Sequence, residues 1–473
     1  MRKELLNQLF QINQIAQSRS IIQVGCENMS DLKYKPLSEF LKERKGRFKP
    51  NDPAVVKLKR LEKIDFTGQI HISEKSSKTD MIIINPGDLV ISGINVAKGA
   101  LAVYEGNEPI TATIHFSSYK FDKEKIDISF LKRFLKSPAF ISNIQNQVKG
   151  GIKTEIKPKH LLPLKVKIPT LTEQQKISKH FDSIENSLTN LSTEIQNQST
   201  ILTSLRQSIL QEAIEGKLTS AWRKEHPVVK GNPDYDAEAL LEKIKAEKER
   251  LIKEGRIKKQ KPLPPIKSEE MPFELPNGWV WTMLGEVGEG FQYGSSTKSS
   301  IKGKCPVLRM GNIQSGKIDW KNLVYTNNKD EIKQFKLKQN DLLFNRSNSR
   351  ELVGKTALFD GKQEAIFAGY LIRFSPLLSL PKYFNIMMSS TLHREWCNQN
   401  KTDAIGQSNI NATKLQWFLA PLPPLSEQQA IVSRVEKLLA IIDELEKQVA
   451  RRKEHAEQLM QSVLREAFRG DKK

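Results

Sequence analysis

The chain contains itself twice. The segment Ile168-Pro-Thr-Leu-Thr-Glu-Gln-Gln-Lys-Ile177 returns as Leu422-Pro-Pro-Leu-Ser-Glu-Gln-Gln-Ala-Ile431, and Gln207-Ser-Ile-Leu-Gln-Glu-Ala-Ile-Glu-Gly216 returns as Gln461-Ser-Val-Leu-Arg-Glu-Ala-Phe-Arg-Gly470. Both pairs are offset by the same 254 residues. An offset that does not drift means two intervening segments of equal length, which is how a structural spacer behaves and a free loop does not. The fold must therefore place one element in two copies.

Each copy opens on Ser/Thr-Glu-Gln-Gln after a proline, at Thr172 to Gln175 and Ser426 to Gln429, which predicts a capping box and a helix start. In the first copy Ile177, Phe181, Ile184, Leu188, Leu191, Ile195, Leu202, Leu205 and Ile209 follow at alternating spacings of four and three, broken at Gln198. In the second, Ile431, Val435, Leu438, Ile442, Leu445, Val449, Ala456, Leu459 and Val463 repeat the register, broken at Arg452. These are heptad seams, and each needs a partner. The simplest partner is the other copy, giving an intramolecular coiled coil; the alternative is two amphipathic helices, each lying on its own globule. A helix from Thr172 to Gly216 would span on the order of 65 Å at 1.5 Å per residue.

The segments before the helices are less alike. Gly87-Asp88-Leu89-Val90 corresponds loosely to Asn340-Asp341-Leu342-Leu343, and short β-rich runs such as Met81 to Ile84 and Pro306 to Met310 sit between glycine- and asparagine-rich turns. Between the halves, Ala237 to Lys261 is rich in Lys, Arg and Glu and closes on Pro262-Leu-Pro-Pro265, which reads as a solvated helix followed by a stiff spacer. The order is globule, helix, globule, helix.

Lysine and arginine number 75 against 54 acidic residues, a formal charge of +21, which points to a polyanionic partner, the alternative being solubility alone. Cys26, Cys305 and Cys397 are scattered, with neither disulfide nor zinc spacing, and the N-terminal residues are too polar for an export signal. No apolar run approaches the roughly 20 residues that cross a bilayer. A cytoplasmic protein is expected.

With these features the chain resembles the specificity subunits of type I restriction-modification systems. The resemblance is carried by the duplicated Pro-x-Leu-[Ser/Thr]-Glu-Gln-Gln, by Gly216-Lys-Leu-Thr219 with Trp222-Arg223, and by Pro262-Leu-Pro-Pro-Ile266 leading to Glu274-Leu-Pro-Asn-Gly-Trp279. It is also carried by Leu308-Arg-Met-Gly-Asn-Ile313, Phe344-Asn-Arg-Ser-Asn348 and Leu352-Val-Gly-Lys-Thr356. The first half lacks a counterpart of Pro276-Asn-Gly-Trp279 at its entrance.

The expected fold is α+β: two mixed α/β target-recognition domains alternate with two long helices, which pair as an antiparallel intramolecular coiled coil with pseudo-twofold symmetry. The domains would be residues 1–170 and 273–424, the spacer helices 171–218 and 425–473, and the linker 219–272. The resemblance implies a non-catalytic subunit reading a split, asymmetric site on double-stranded DNA. It also implies two methyltransferase subunits and, for restriction, two ATP-driven motor-nuclease subunits, with S-adenosylmethionine, ATP and Mg on those partners and no cofactor here. A stand-alone coiled-coil DNA binder or scaffold is the alternative.

No motif for chemistry of its own is present. There is no Asn/Asp-Pro-Pro-aromatic loop for adenine methylation, and Gly354-Lys355-Thr356 lacks the first glycine of a phosphate loop, which is Ser349. The seven histidines show no metal-ligand spacing. DNA contacts are instead expected on polar loops, where Lys and Arg hold phosphates and forked or amide side chains read base edges.

In the second domain the candidates are Asn345, Arg346, Asn348 and Arg350, with Arg346 and Asn348 suited to base edges, then Gln407, Asn409 and Asn411, then Gln292, Tyr293 and Lys298. In the first they are Ser92, Asn95 and Lys98, Lys149 and Lys153, and Arg44, Lys45 and Arg47, the last three suited to phosphate. For each loop the competing reading is a turn with solvated polar groups.

Overall fold

The computed structural model describes residues 34–66, 68–74, 77–95, 100–137, 140 and 157–467. It divides into two compact units, one of Met1–Asn197 with Val449–Lys473, the other of Gln198–Gln448.

The first unit is built on two four-stranded sheets. One runs in the order Leu41–Glu43, Phe116–Phe121, Leu89–Ser92, Leu101–Val103, antiparallel throughout. The other runs Ile70–Ser73, Arg60–Ile64, Ile110–Thr113, Met81–Ile84, with one parallel pairing, between Arg60–Ile64 and Ile110–Thr113. Leu89 to Ile91 of strand Leu89–Ser92 form an unbroken apolar run, and the strand is buried on both faces. Leu89 and Ile91 enter one core, Val90 the other. The first of these cores also takes Phe130, Leu131 and Phe134 of helix α1 (Ile128–Lys136), and Phe181, Ile184 and Leu188 of the long helix α2 (Leu171–Ile214).

The second unit repeats the scheme. Strands Gly288–Tyr293, Leu371–Pro376, Leu342–Asn345 and Thr356–Leu358 form one sheet in that order. Val324–Thr326, Cys305–Leu308 and Ile366–Phe367 form another, again with one parallel pairing. Asp88 and Asp341 occupy the same turn in the two units: each side chain accepts the backbone N–H three residues before it, from Asn85 at 3.0 Å and from Lys338 at 2.8 Å. The residues just before them, Gly87 and Asn340, are left-handed at φ 84° and 76°, a conformation that asparagine tolerates better than most residues other than glycine.

The linker departs from expectation. Helix α3 (Ala237–Lys253) forms where predicted, but Ala237, Leu240, Leu241, Ile244 and Leu251 are buried rather than solvated. Its charges had masked an apolar stripe at helical spacing. Burial pulls the Lys248 ammonium down to about 8, against the upward pull of Glu286 and Glu289. Its Nζ donates to the carbonyls of Gly285, Glu286 and Gly288, the last at 3.0 Å.

The duplicated motif marks where each long helix meets its domain, and there the two copies share one device. Gln174 and Gln428 are fully buried. Each donates its amide to the carbonyl five residues back, Pro169 at 2.8 Å and Pro423 at 3.0 Å. The oxygen of Gln174 accepts from the N–H of Asp127, the residue before α1. The oxygen of Gln428 accepts from Leu380, the residue before helix α4 (Pro381–Met387).

The cap itself differs from the predicted one. At α2 the box is Thr170 with Glu173, whose carboxylate accepts the Thr170 N–H at 2.9 Å while Thr170 Oγ1 accepts the Glu173 N–H at 3.4 Å. At the second long helix, α5 (Leu425–Ala467), Pro424 replaces that threonine and has no N–H to give. The Leu425 and Ser426 N–H groups instead donate to the carbonyls of Pro233 and Asp234, both at 3.2 Å.

The seams pair antiparallel. In the first unit Leu188 of α2 lies in the core, and Leu191 of α2 with Ala456 and Leu459 of α5 pack against it. In the second, Arg206 of α2 binds Asp443 and Glu446 of α5, the latter at 3.1 Å. Moving forward along α2 thus moves backward along α5. Leu205 does not join the seam: it is 44% exposed, and Arg206 takes the inward position between Leu202 and Ile209. Steps of four rather than three follow the 3.6-residue turn of a straight helix. The side chain of Val463 lies outside the described residues.

Candidate nucleic-acid interface

The central strand of the second domain, Leu342–Asn345, delivers the polar run Asn345 to Arg350 to the edge of the sheet. Asn345 itself is a core residue, fully buried with no hydrogen-bond partner for either amide atom, so its side chain does not reach a groove. Arg346 is the first to emerge. Its guanidinium lies over the Tyr293 ring, 4.7 Å from the centroid, and one Nη donates to the Gly369 carbonyl at 3.2 Å. The cation–π contact and this bond hold the fork before any ligand arrives.

Ser347–Asn348 pairs with Gln407–Asn409, which pairs in turn with Thr402–Ala404. The structure thus brings the candidates Gln407 and Asn409 beside the Asn345 to Arg350 run: Gln407 Nε2 donates to Ser347 Oγ at 2.6 Å, 60 residues away, and Asn409 lies opposite Ser347. The Tyr293 hydroxyl accepts the Ala412 N–H at 2.9 Å, joining a third loop to the face. Gln407 and Lys298 are exposed, and exposed Arg350 faces Asp403 at 3.6 Å. Three candidates are occupied locally. Asn348 accepts the Ser349 N–H, Asn411 caps the helix Ala412–Gln416 through the Lys414 N–H, and Gln292 accepts from Arg373, at 2.8, 2.8 and 2.7 Å.

In the first domain Arg44 is tied to buried Asp88, which also accepts from Ser118 Oγ at 2.8 Å, so this arginine braces the sheet. Lys45 and Arg47 are exposed. Ser92, at 8% exposure, is a strand-end residue of the core, and Asn95 shapes the following turn, its carbonyl accepting the Ala100 N–H at 3.2 Å. Lys98, Lys149 and Lys153 lie outside the described residues.

Sequence reasoning missed Tyr370, which is 49% exposed and accepts the Arg346 N–H on its carbonyl at 3.0 Å. The Gly369-Tyr370 turn before a strand was its only signal. It also missed the role of Glu427, the counterpart of Glu173. Glu427 is 1% exposed and accepts from Thr219 Oγ1 and Trp279 Nε1, both at 2.7 Å, and from Arg223. These partners are the Gly-Lys-Leu-Thr, Trp-Arg and Asn-Gly-Trp motifs, so the repeated signatures join at one buried carboxylate.

Among the described residues no cluster of three or more His, Cys, Asp or Glu could hold a metal, and no helix is long and apolar enough to cross a membrane. His393 and Cys397 lie side by side in the core. Burial pushes the thiol up to about 12 and the imidazole down to about 3, so both are neutral near pH 7 and the thiolate of a nucleophile does not form.

Residues 276–452 match the family model described as the type I restriction modification DNA specificity domain. The Escherichia coli type I restriction enzyme EcoAI specificity subunit is 34% identical over 286 residues, which is 57% of this chain and 43% of that protein. The alignment thus spans less than half of that relative. The EcoKI specificity subunit of Escherichia coli strain K12 is 27% identical over 417 residues, covering 86% of this chain and 80% of that one. Among solved structures, the HsdS subunit from Thermoanaerobacter tengcongensis covers 93% of this chain and 97% of its own at TM-score 0.51 and 16% identity. A chain from a study of complex assembly and conformational transition of the type I R-M system does so over 93% and 98% at TM-score 0.59 and 16% identity. At that identity the likeness is one of fold.

Proposed function

We propose that the chain, similar over residues 276–452 to the type I restriction modification DNA specificity domain, is a specificity subunit of a type I restriction enzyme, and that it reads a split, asymmetric site on double-stranded DNA, one half with each recognition domain. It carries no catalysis of its own. It directs two methyltransferase subunits and, where restriction occurs, two motor-nuclease subunits to that site, and those partners hold S-adenosylmethionine, ATP and Mg.

The observation that supports this most is the face around Arg346. A guanidinium held over the Tyr293 ring, beside amide side chains on a hairpin, is the donor and acceptor set that base edges require. A net charge of +21 supplies the phosphate attraction. The two domains share a sheet topology but differ in sequence, which favours unlike half-sites.

Co-expression with the neighbouring methyltransferase subunit in a methylation-free host, with N6-methyladenine mapped genome-wide, tests the reading. A split motif with a fixed gap, one half of which changes when one domain is exchanged, is expected. Methylation of the same sequence without this chain would overturn it.

A further inference from the structure

The two domains share a hydrogen-bonding frame at the end of the central strand, and that frame equates positions whose side chains have nothing in common. In the second domain the Asn345 N–H donates to the Lys355 carbonyl at 2.8 Å, and the Arg346 N–H to that of Tyr370 at 3.0 Å. In the first, the Ser92 N–H donates to the Ala100 carbonyl at 3.0 Å, and the Gly93 N–H to that of His115 at 2.9 Å. Gly93 therefore stands where Arg346 stands, and His115 where Tyr370 stands.

The outer strand agrees. Ser118 faces Val90 as Arg373 faces Leu343, and the residues beside them are Arg44, through its N–H to the Ser118 carbonyl, and Gln292. The next residue along is Lys45 in one domain and Tyr293 in the other. Tyr370 is half-exposed, and His115 is exposed in the turn between Ile110–Thr113 and Phe116–Phe121.

We infer that His115 is a base-contacting, specificity-determining residue of the first domain, at the position that Tyr370 holds in the second. This rests on the proposed DNA-reading function. With glycine in place of Arg346, that position offers no arginine fork, and among the described residues named in the frame the exposed side chains are Lys45 and His115. An ammonium reaches phosphate. An imidazole ring nitrogen can meet a purine N7 as a donor or an exocyclic amine as an acceptor in the major groove. The half-sites are thus read with different chemistry on one frame.

The test uses the full chain with its methyltransferase subunit, comparing wild type, His115→Ala and Tyr370→Ala by methylome mapping. His115→Ala should lower discrimination at one base of one half-site by about 10- to 100-fold and leave the other half unchanged, and Tyr370→Ala should do the reverse. An unchanged motif with His115→Ala overturns the inference. If that variant abolishes methylation, His115→Asn decides: a motif altered in the one half supports the assignment, whereas an unaltered motif or none overturns it. The wild-type motif from the same experiment reports separately on whether the chain confers specificity at all.

Discussion

Glu173 and Glu427 occupy equivalent places in a repeat and do different work. The first reaches back to the exposed backbone of Thr170, a cap whose loss costs about 1 kcal/mol. The second is a buried anion with an arginine, an indole and a hydroxyl turned toward it, and removing it strands a charge and two donors at a cost of about 3 to 5 kcal/mol. Urea unfolding should therefore separate Glu173→Ala from Glu427→Ala by several kcal/mol, and equal effects would contradict the assignment. The repeat was legible in the sequence as a motif, but the role of its middle glutamine was not, because its partners Asp127 and Leu380 lie 47 and 48 residues away along the chain. Likewise the polar run Asn345 to Arg350 was visible, whereas which of its side chains turn inward depends on where the strand ends.

The long helices were the most legible elements, since a seam repeated at heptad spacing has few other meanings. Their exact stripe was not, because one step of four in place of three exchanges Leu205 for Arg206. Leu188→Ala should cost about 2 to 4 kcal/mol as a buried core truncation and Leu205→Ala less than about 1 kcal/mol, as thermal unfolding would show; the reverse order would restore the strict heptad. Helix α3 was legible as a helix and misread as solvated, because a stripe of four large apolar residues is diluted by the surrounding charges. Lys248 on this helix gives it a pH signature. Its pKa in the folded chain, about 8, lies below the ordinary 10.5, so between those values the unfolded chain binds more protons and stability rises with pH. Urea midpoints measured below and above that window should lose part of this rise in Lys248→Met.

At the scale of the whole molecule, the proposed function assigns the length of the gap to the helices and the sequence of the half-sites to the domains. Removing one heptad from facing positions of α2 and α5 takes out about 10 Å of helix, close to 3 base pairs of B-form DNA, so the tolerated gap should shorten by about that much while both half-sites stay the same. A changed half-site with an unchanged gap, read by the same methylation mapping, would separate the helices from the spacing. The antiparallel seam has another consequence. The core of the first domain is flanked by Ala456 and Leu459 of α5, which follow the whole second domain in the chain. On the ribosome, the domain synthesised first must therefore wait for α5 before that edge of its core is covered. That edge of the core is open throughout synthesis of the second domain, and a premature stop in α5 before Ala456 deprives the domain made first of its cover.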